Sequence, residues 1–183
     1  MLELLEAHGA LQRGHFLLSS GMHSPHYVQC ALLLQYPEVT ARVCRSLAHP
    51  FGQEAVAVVI GPAIGAIPLA YETARQLGAR GLWAERVEGR LVLRRSFALG
   101  PGERVLVVED VVTTGGSAKE VAELAERAGA EVVGVAAVVD RSAGAHGLRW
   151  RFEPLVRLDV EAYVPTACPL CEQGVPLVKP GSR

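Results

Sequence analysis

Two adjacent carboxylates, Glu109 and Asp110, close an unbroken apolar run, Val105 to Val108. A loop of small and hydroxylated residues follows at once, Val111-Val112-Thr113-Thr114-Gly115-Gly116-Ser117. Carboxylates so placed accept hydrogen bonds from vicinal hydroxyls and help to hold a hydrated Mg²⁺. Thr113, Thr114 and Ser117 bring hydroxyl donors, while Gly115 and Gly116 let the backbone approach a phosphate closely. The helix-forming stretch that comes next, Ala118 to Ala128, offers its first N–H groups and the positive end of its dipole to an anion. The combination predicts a cradle for a phosphorylated sugar. A plain strand–turn–helix capped by Ser accounts for Ser117 but not for two acids at the end of a strand. The pattern is neither a Gly-x-x-x-x-Gly-Lys-Ser/Thr phosphate loop nor a Gly-x-Gly-x-x-Gly dinucleotide fingerprint.

The elements that must carry this loop follow from the periodicity. Leu2 to Ala10 reads as a short amphipathic helix, and Gly14 to Val28 as a loop or short hairpin rich in Gly, Ser, His and Pro. Pro37 starts a helix that runs to about Ala48. Apolar runs at 55–60, 105–108 and 132–139 lack polar alternation and read as strands buried on both faces. Shorter strands are expected at 81–84 and 91–94. Helices fill 66–77, stopped by Gly78, and 118–128, stopped by Gly129. This alternation predicts an α/β fold, a central parallel sheet with helices on both faces. In such sheets ligands bind beyond the carboxyl ends of the strands. The polar or Gly-rich segments 61–65, 109–117 and 140–147 should therefore meet on one rim.

Composition narrows the function classes. The chain has 183 residues, half of them apolar, and a formal net charge of -1. That suffices for one domain with a real core and gives no bulk attraction to nucleic acid or membrane. No apolar run approaches the roughly 20 residues that span a bilayer. Met1-Leu-Glu-Leu-Leu-Glu6 lacks the basic flank of a signal peptide, so a cytoplasmic protein with unpaired cysteines is expected. Asn is absent and the basic residues are nearly all Arg, which fits a heat-adapted protein or a GC-rich genome.

The 105–117 stretch closely resembles the phosphoribosyl-diphosphate (PRPP) motif of type I phosphoribosyltransferases. The resemblance implies that Glu109 and Asp110 bind the ribose hydroxyls, that the loop from Thr113 to Ser117 wraps the 5′-phosphate, and that Val111 and Val112 belong to the same PRPP-binding stretch. Three further segments resemble the orotate phosphoribosyltransferases within that family. Phe16-Leu-Leu-Ser-Ser-Gly-Met-His-Ser-Pro-His-Tyr27 is similar to their N-terminal Ser-Gly-x-x-Ser-x-x-Tyr/Phe stretch. Gly61-Pro-Ala-Ile-Gly-Ala-Ile-Pro68 is similar to their pyrophosphate loop, with Ala63, Ile64 and Gly65 at its centre. Val138-Val-Asp-Arg141 is similar to the Asp-Arg that closes their last strand. The resemblance implies a single domain with a core at 36–159 and a small hood from 1–35 and 160–183. It implies orotate contacts at Thr113, Arg141 and Tyr27, with the Arg141 guanidinium gripping a carboxylate as its planar fork allows. It further implies transfer of phosphoribosyl from PRPP to orotate in UMP synthesis, Mg²⁺ carried on the substrate, and a homodimer with shared sites.

The chain departs from the family in the loop that closes over the pyrophosphate. Here that segment is Glu85-Arg-Val-Glu-Gly-Arg-Leu-Val-Leu-Arg-Arg95, in which Arg86 matches the family arginine, for PRPP contact, and Val87 stands where a lysine belongs. Arg86 and Arg90 are left as the candidate cations of a catalytic loop, although Arg is no general acid. Ser19 and Gly65 stand where two other family lysines are expected. Two other readings share the PRPP motif: a PRPP-binding regulator without turnover, and a purine phosphoribosyltransferase. The regulator reading lacks a DNA-binding helix pair before Gly14, and the purine reading leaves Arg141 and the 16–27 segment unexplained.

Cys168-Pro-Leu-Cys171 has the spacing of half a zinc site. Cys30, Cys44 or a second subunit would have to supply the other ligands. His23 and His26, in the 16–27 segment, read as solvated loop residues that a ligand could touch.

Overall fold

A computed structural model describes residues 1–18 and 20–180. Ser19, expected near the base, lies outside the described residues. The elements run α1 (Leu2–Ala7), β1 (Leu11–Leu17), β2 (His23–Val28), α2 (Ala31–Leu34), α3 (Pro37–Ala48), β3 (Val58–Pro62) and α4 (Ile67–Leu77). They continue through β4 (Arg80–Val87), β5 (Arg90–Leu93), β6 (Arg104–Val112), α5 (Gly116–Arg127), β7 (Glu131–Asp140), β8 (Phe152–Arg157) and α6 (Pro169–Glu172). The chain forms two compact units, Met1–Leu33 with Asp159–Arg183, and Leu34–Leu158.

The larger unit is built on a sheet of order β5-β4-β3-β6-β7-β8. All neighbours are parallel except β4 and β5, which form an antiparallel hairpin at one edge. Successive side chains on a strand alternate between faces. Val58 and Ile60 of β3, with Val105 and Val107 of β6, therefore project together, and α5 covers them with Ala118, Val121, Ala122 and Ala125. On the opposite face Gly81 lets α4 lie directly on β4, since a β-carbon there would stand 3.1 Å from the Tyr71 Cα. Burying these runs on both faces explains why they lack alternation in the sequence. At the turn after α4, Gly78 adopts φ +68°, the left-handed cap that ends the helix.

Three expectations are corrected. The acids do not follow the central strand but lie inside it, because β6 runs on to Val112. Helix α5 begins at Gly116, two residues before the expected start at Ala118, so Ser117 is in its first turn. The sheet is parallel as expected but for the β4–β5 edge pair, and the run 132–139 is not the last strand of the chain. An eighth strand, β8, pairs with β7 at the edge. Its Pro154, Glu153 and Arg157 obscure it in sequence, and an edge position tolerates the proline.

The smaller unit holds the β1–β2 hairpin flanked by two C-terminal stretches. Val178 bridges to Phe16 beside β1, and Tyr163 bridges to His23 beside β2. Between these two contacts the chain makes a short 3-10 turn, Pro165–Ala167, and then α6. Among the described residues no helix is long and apolar enough to cross a membrane.

Candidate active site

Strand β6 pairs with β3 only as far as Val107, whereas its pairing with β7 continues through Glu109 to Val112. The last residues of β6 thus lose a neighbour on one side, and the turn after β3 fills part of that space. That turn carries Ala63, Ile64 and Gly65, and the Ala63–Ile64 peptide is cis. A β-carbon on Gly65 would stand 2.6 Å from Asp110 Oδ2. Only a residue without a side chain leaves the Asp110 carboxylate where it is.

Beyond β6 the chain turns through Thr113 and Thr114 into Gly115, the residue before α5, at φ +74°. A β-carbon here would lie 2.2 Å from the His146 carbonyl oxygen. Both the positive φ and the contact require glycine. No side chain caps α5. The N–H groups of its first turn have no intrahelical acceptor by helix geometry and face the loop. A concave pocket results, lined by Glu109, Val111, Val112, Thr113, Thr114, Gly115, Gly116, Ser117 and Ala118. It has the size class and donor set of an anion cradle at a helix N-terminus.

Glu109 is buried, with 7% exposure. Burial, and then the neighbouring Asp110 charge, raise its pKa well above the ordinary carboxylate value. Its Oε1 accepts from the Asp110 N–H at 3.2 Å, and Asp110 Oδ1 accepts from the Val111 N–H at 2.7 Å. Such a pair is held ready for hydroxyl donors or a cation, either of which offsets the crowding of negative charge.

Arg141 follows β7, and its N–H donates to the Val112 carbonyl at 2.7 Å. This bond sets Arg141 beside the start of the Thr113 loop. Its neighbour Asp140 is buried; Oδ1 accepts from the Ser142 N–H at 2.8 Å and hydroxyl at 2.6 Å, and Oδ2 faces Arg157 at 3.6 Å. The contacts Gly65 to Asp110, Arg141 to Val112 and Gly115 to His146 bring the segments after β3, β6 and β7 onto one rim, as their strand-end positions predict.

The 85–95 segment is a tight antiparallel hairpin. Glu88 and Gly89 both take positive φ, +47° and +80°, the geometry of a two-residue hairpin turn. Arg86 donates to the Gly89 carbonyl at 2.6 Å and pairs with Glu120 of α5 at 3.2 Å. The same Glu120 accepts from the Leu91 N–H at 2.6 Å. Arg94 and Arg95 pair with Glu85. Arg90 opens β5 and lines a groove with Leu91, Val92, Glu120 and Arg127. Sequence reasoning missed Glu120, His146 and Ser142 because each acts on a partner remote in sequence or through backbone.

In the smaller unit, Tyr27 stands on β2 opposite Gln12, its ring 5.8 Å from Phe16. His23 is not a solvated loop residue but a buried one, on β2. Cys44 is buried in α3, where its thiol donates to the Leu69 carbonyl at 3.8 Å and burial pushes its pKa up to about 11.

Comparison with known proteins places this geometry. Residues 35–150 match the family described as phosphoribosyl transferase domain. The orotate phosphoribosyltransferase of Caldicellulosiruptor saccharolyticus is 52% identical over the whole of this chain and 95% of its own length. The crystal structure of orotate phosphoribosyltransferase from Aeropyrum pernix superposes with a TM-score of 0.72 at 30% identity, covering 86% of this chain and 94% of that one. The adenine phosphoribosyltransferase of Rhodothermus marinus, at 23% identity and TM-score 0.67 over 86% of this chain and all of its own, shares the fold.

Proposed function

The chain belongs to the orotate phosphoribosyltransferase family, and from that premise we propose that its sheet rim transfers phosphoribosyl from 5-phospho-α-D-ribose 1-diphosphate to orotate. The products are orotidine 5′-phosphate and pyrophosphate, a step of UMP synthesis. Val111 to Ser117 hold the 5′-phosphate against the first turn of α5. Glu109 and Asp110 accept from the ribose hydroxyls and fix the anomeric carbon toward the base, a positioning effect. Ala63, Ile64 and Gly65 receive the pyrophosphate. Thr113 and Arg141 take the orotate side; for Tyr27 the same role rests on its motif resemblance alone. Arg86 faces the pyrophosphate once released from Glu120, with Arg90 as a second cation.

Cleavage of the C1–O bond leaves positive charge on the sugar and negative charge on the pyrophosphate. Orotate attacks through a ring nitrogen as an anion, so no strong general base is required. The hard-oxygen donors of Glu109 and Asp110 fit Mg²⁺, which would be carried mainly on the substrate oxygens. When bound, Mg²⁺ offsets charge on the leaving group. A homodimer with shared sites and a cytoplasmic location complete the proposal.

The observation that carries this reading is the bond from the Arg141 N–H to the Val112 carbonyl, 2.7 Å. It couples a guanidinium-bearing residue, suited to a carboxylated base, to the strand that delivers the phosphate loop. Arg141→Ala should raise the orotate KM by about 10- to 100-fold, the loss of a charged, bidentate contact, with the PRPP KM nearly unchanged. Equal loss toward both substrates would remove Arg141 from the orotate site.

A further inference from the structure

We propose that His15, His23, Cys168 and Cys171 form a tetrahedral Cys₂His₂ site for a structural zinc ion, independent of the transferase chemistry. All four belong to the smaller unit. Their ligand atoms lie within 4.8 Å of one another.

The local fold explains how they meet. A bulge between Arg13 and Phe16 re-aims β1 and sets the His15 ring beside His23 of β2, with centroids 4.8 Å apart. The C-terminal chain passes beside both strands, through the Tyr163–His23 and Val178–Phe16 bridges. In the arc between them, Cys168 precedes α6 and Cys171 falls within it. The Cys-x-x-Cys turn is thereby set against the two imidazoles. Cys30 and Cys44, the ligands that sequence alone suggested, are not members of the cluster.

The distances suit a zinc ion. Bonds of about 2.3 Å to sulfur and 2.0–2.1 Å to nitrogen in a tetrahedron place sulfur and nitrogen ligands about 3.6 Å apart. Cys168 Sγ is 3.5 Å from His15 Nε2, and Cys171 Sγ is 3.8 Å from it. Cys171 Sγ is 3.4 Å from His23 Nδ1. The two imidazole nitrogens, at 2.9 Å, stand a few tenths of an ångström closer than the tetrahedral edge. The other pairs lie within 4.8 Å, so shifts of about 1 Å or less bring all four atoms to tetrahedral edges.

The supporting contact is also present. His15 Nδ1 is 2.8 Å from the Val175 carbonyl oxygen, so Nδ1 carries the proton and donates it. Nε2 then turns its lone pair toward the two sulfurs and His23. A second hydrogen bond of this kind fixes the tautomer and orientation of metal-bound histidines. One lone pair cannot serve three neighbours at once, whereas one cation among four electron donors serves them all. His15, His23 and Cys168 are buried, and Cys171 is exposed and gives the ion a way in. Two thiolates with two imidazoles select zinc among common divalent ions. Binding makes four metal–ligand bonds, displaces the ion's water ligands and releases the two thiol protons to solvent, with no change of oxidation state.

The unit has reason to need such a link. It comprises about 60 residues in two stretches, and its fully buried apolar side chains are few, Leu5, Ala10 and Leu33 among them. Small units with few buried apolar side chains gain much of their stability from disulfides or metals where they have them. Its four-residue α6 is far too short to be stable alone.

The test uses the full chain. Metal analysis of protein purified without chelator should find about one zinc per chain, and Co²⁺ exchanged into it should give intense tetrahedral d–d bands with thiolate charge transfer. Cys171→Ser and His23→Ala, which each remove a ligand, should weaken Co²⁺ binding by more than the roughly 10- to 100-fold that loss of an outer-shell partner costs. Should either variant fail to fold, the Co²⁺ spectrum of the unaltered chain decides alone. Folded chain that takes up neither zinc nor Co²⁺, or that gives an octahedral spectrum without thiolate charge transfer, would overturn the proposal. Orotate and PRPP turnover plays no part in either readout, so failure here leaves the transferase reading standing.

Discussion

Gly65 faces Asp110 so closely that a β-carbon on Gly65 would stand 2.6 Å from the Asp110 Oδ2. The turn after β3 and the acid of β6 are thus fitted to one another across the gap where the two strands stop pairing. The family lysine expected at position 65 has no room here unless the carboxylate moves. That carboxylate is itself held by the Val111 N–H at 2.7 Å.

Gly65→Ala should therefore act on the site rather than on the fold. Displacing the Asp110 carboxylate by a fraction of an ångström to 1 Å should lower kcat/KM by about 10- to 100-fold. Steady-state kinetics beside a thermal melt check this. A variant with full activity would show that the Asp110 position is not critical, and one that fails to fold would show that the turn is structural.

Glu109 gives a pH signature. Burial and Asp110 hold its folded pKa well above the unfolded value, so the folded chain favours the protonated form. The sign follows from linkage: this group costs no stability below the usual carboxylate pKa, about 4.3, and stability falls as pH rises from there toward the folded pKa. Glu109→Gln removes the cost. Its Tm should exceed that of the unaltered chain at pH 7 to 8, by roughly 2–4 °C per kcal/mol regained, and the gap should close toward pH 4. Activity should fall by about 100-fold or more in the same protein, since an amide NH2 would face ribose hydroxyls that a carboxyl oxygen accepts from. Melting curves across pH that run parallel would contradict the assignment.

The hairpin at one sheet edge hangs on Glu120. Its carboxylate accepts from the Leu91 N–H and pairs with Arg86. Glu120→Ala should cost about 1–2 kcal/mol, mostly by leaving the Leu91 N–H without its acceptor, because half-exposed ion pairs contribute little. Arg86→Ala should leave stability within about 0.5 kcal/mol but raise the PRPP KM by about tenfold. Denaturant titration and PRPP kinetics on both variants separate the two roles. An unchanged PRPP KM in Arg86→Ala would confine that residue to the hairpin.

Much of the larger unit is legible in the sequence because its elements are locally encoded. Gly78 ends α4, Pro37 opens α3, and the runs at β3, β6 and β7 lack polar residues because both faces are covered. The PRPP loop is legible for the same reason, as one continuous segment. What resists reading is set by distant partners. Strand β8 exists because the β7 edge is there to pair with it. The hairpin turn at Glu88–Gly89 closes within two residues because both take positive φ, and nothing in the sequence marks Glu88 for that conformation. His15 and His23 read as scattered loop residues, and only the bulge in β1 and the returning C-terminal chain set them against Cys168 and Cys171. Spacing along the chain carries no signal for a contact made 153 residues away.

The division of the rim between a sugar phosphate and a carboxylated base is tested most directly by following orotate absorbance with PRPP and Mg²⁺, with adenine and hypoxanthine in parallel. Orotate should be consumed with one pyrophosphate released for each orotidine 5′-phosphate formed, and the purines should stay untouched. Consumption of a purine instead, or tight PRPP binding without loss of any base, would contradict the account.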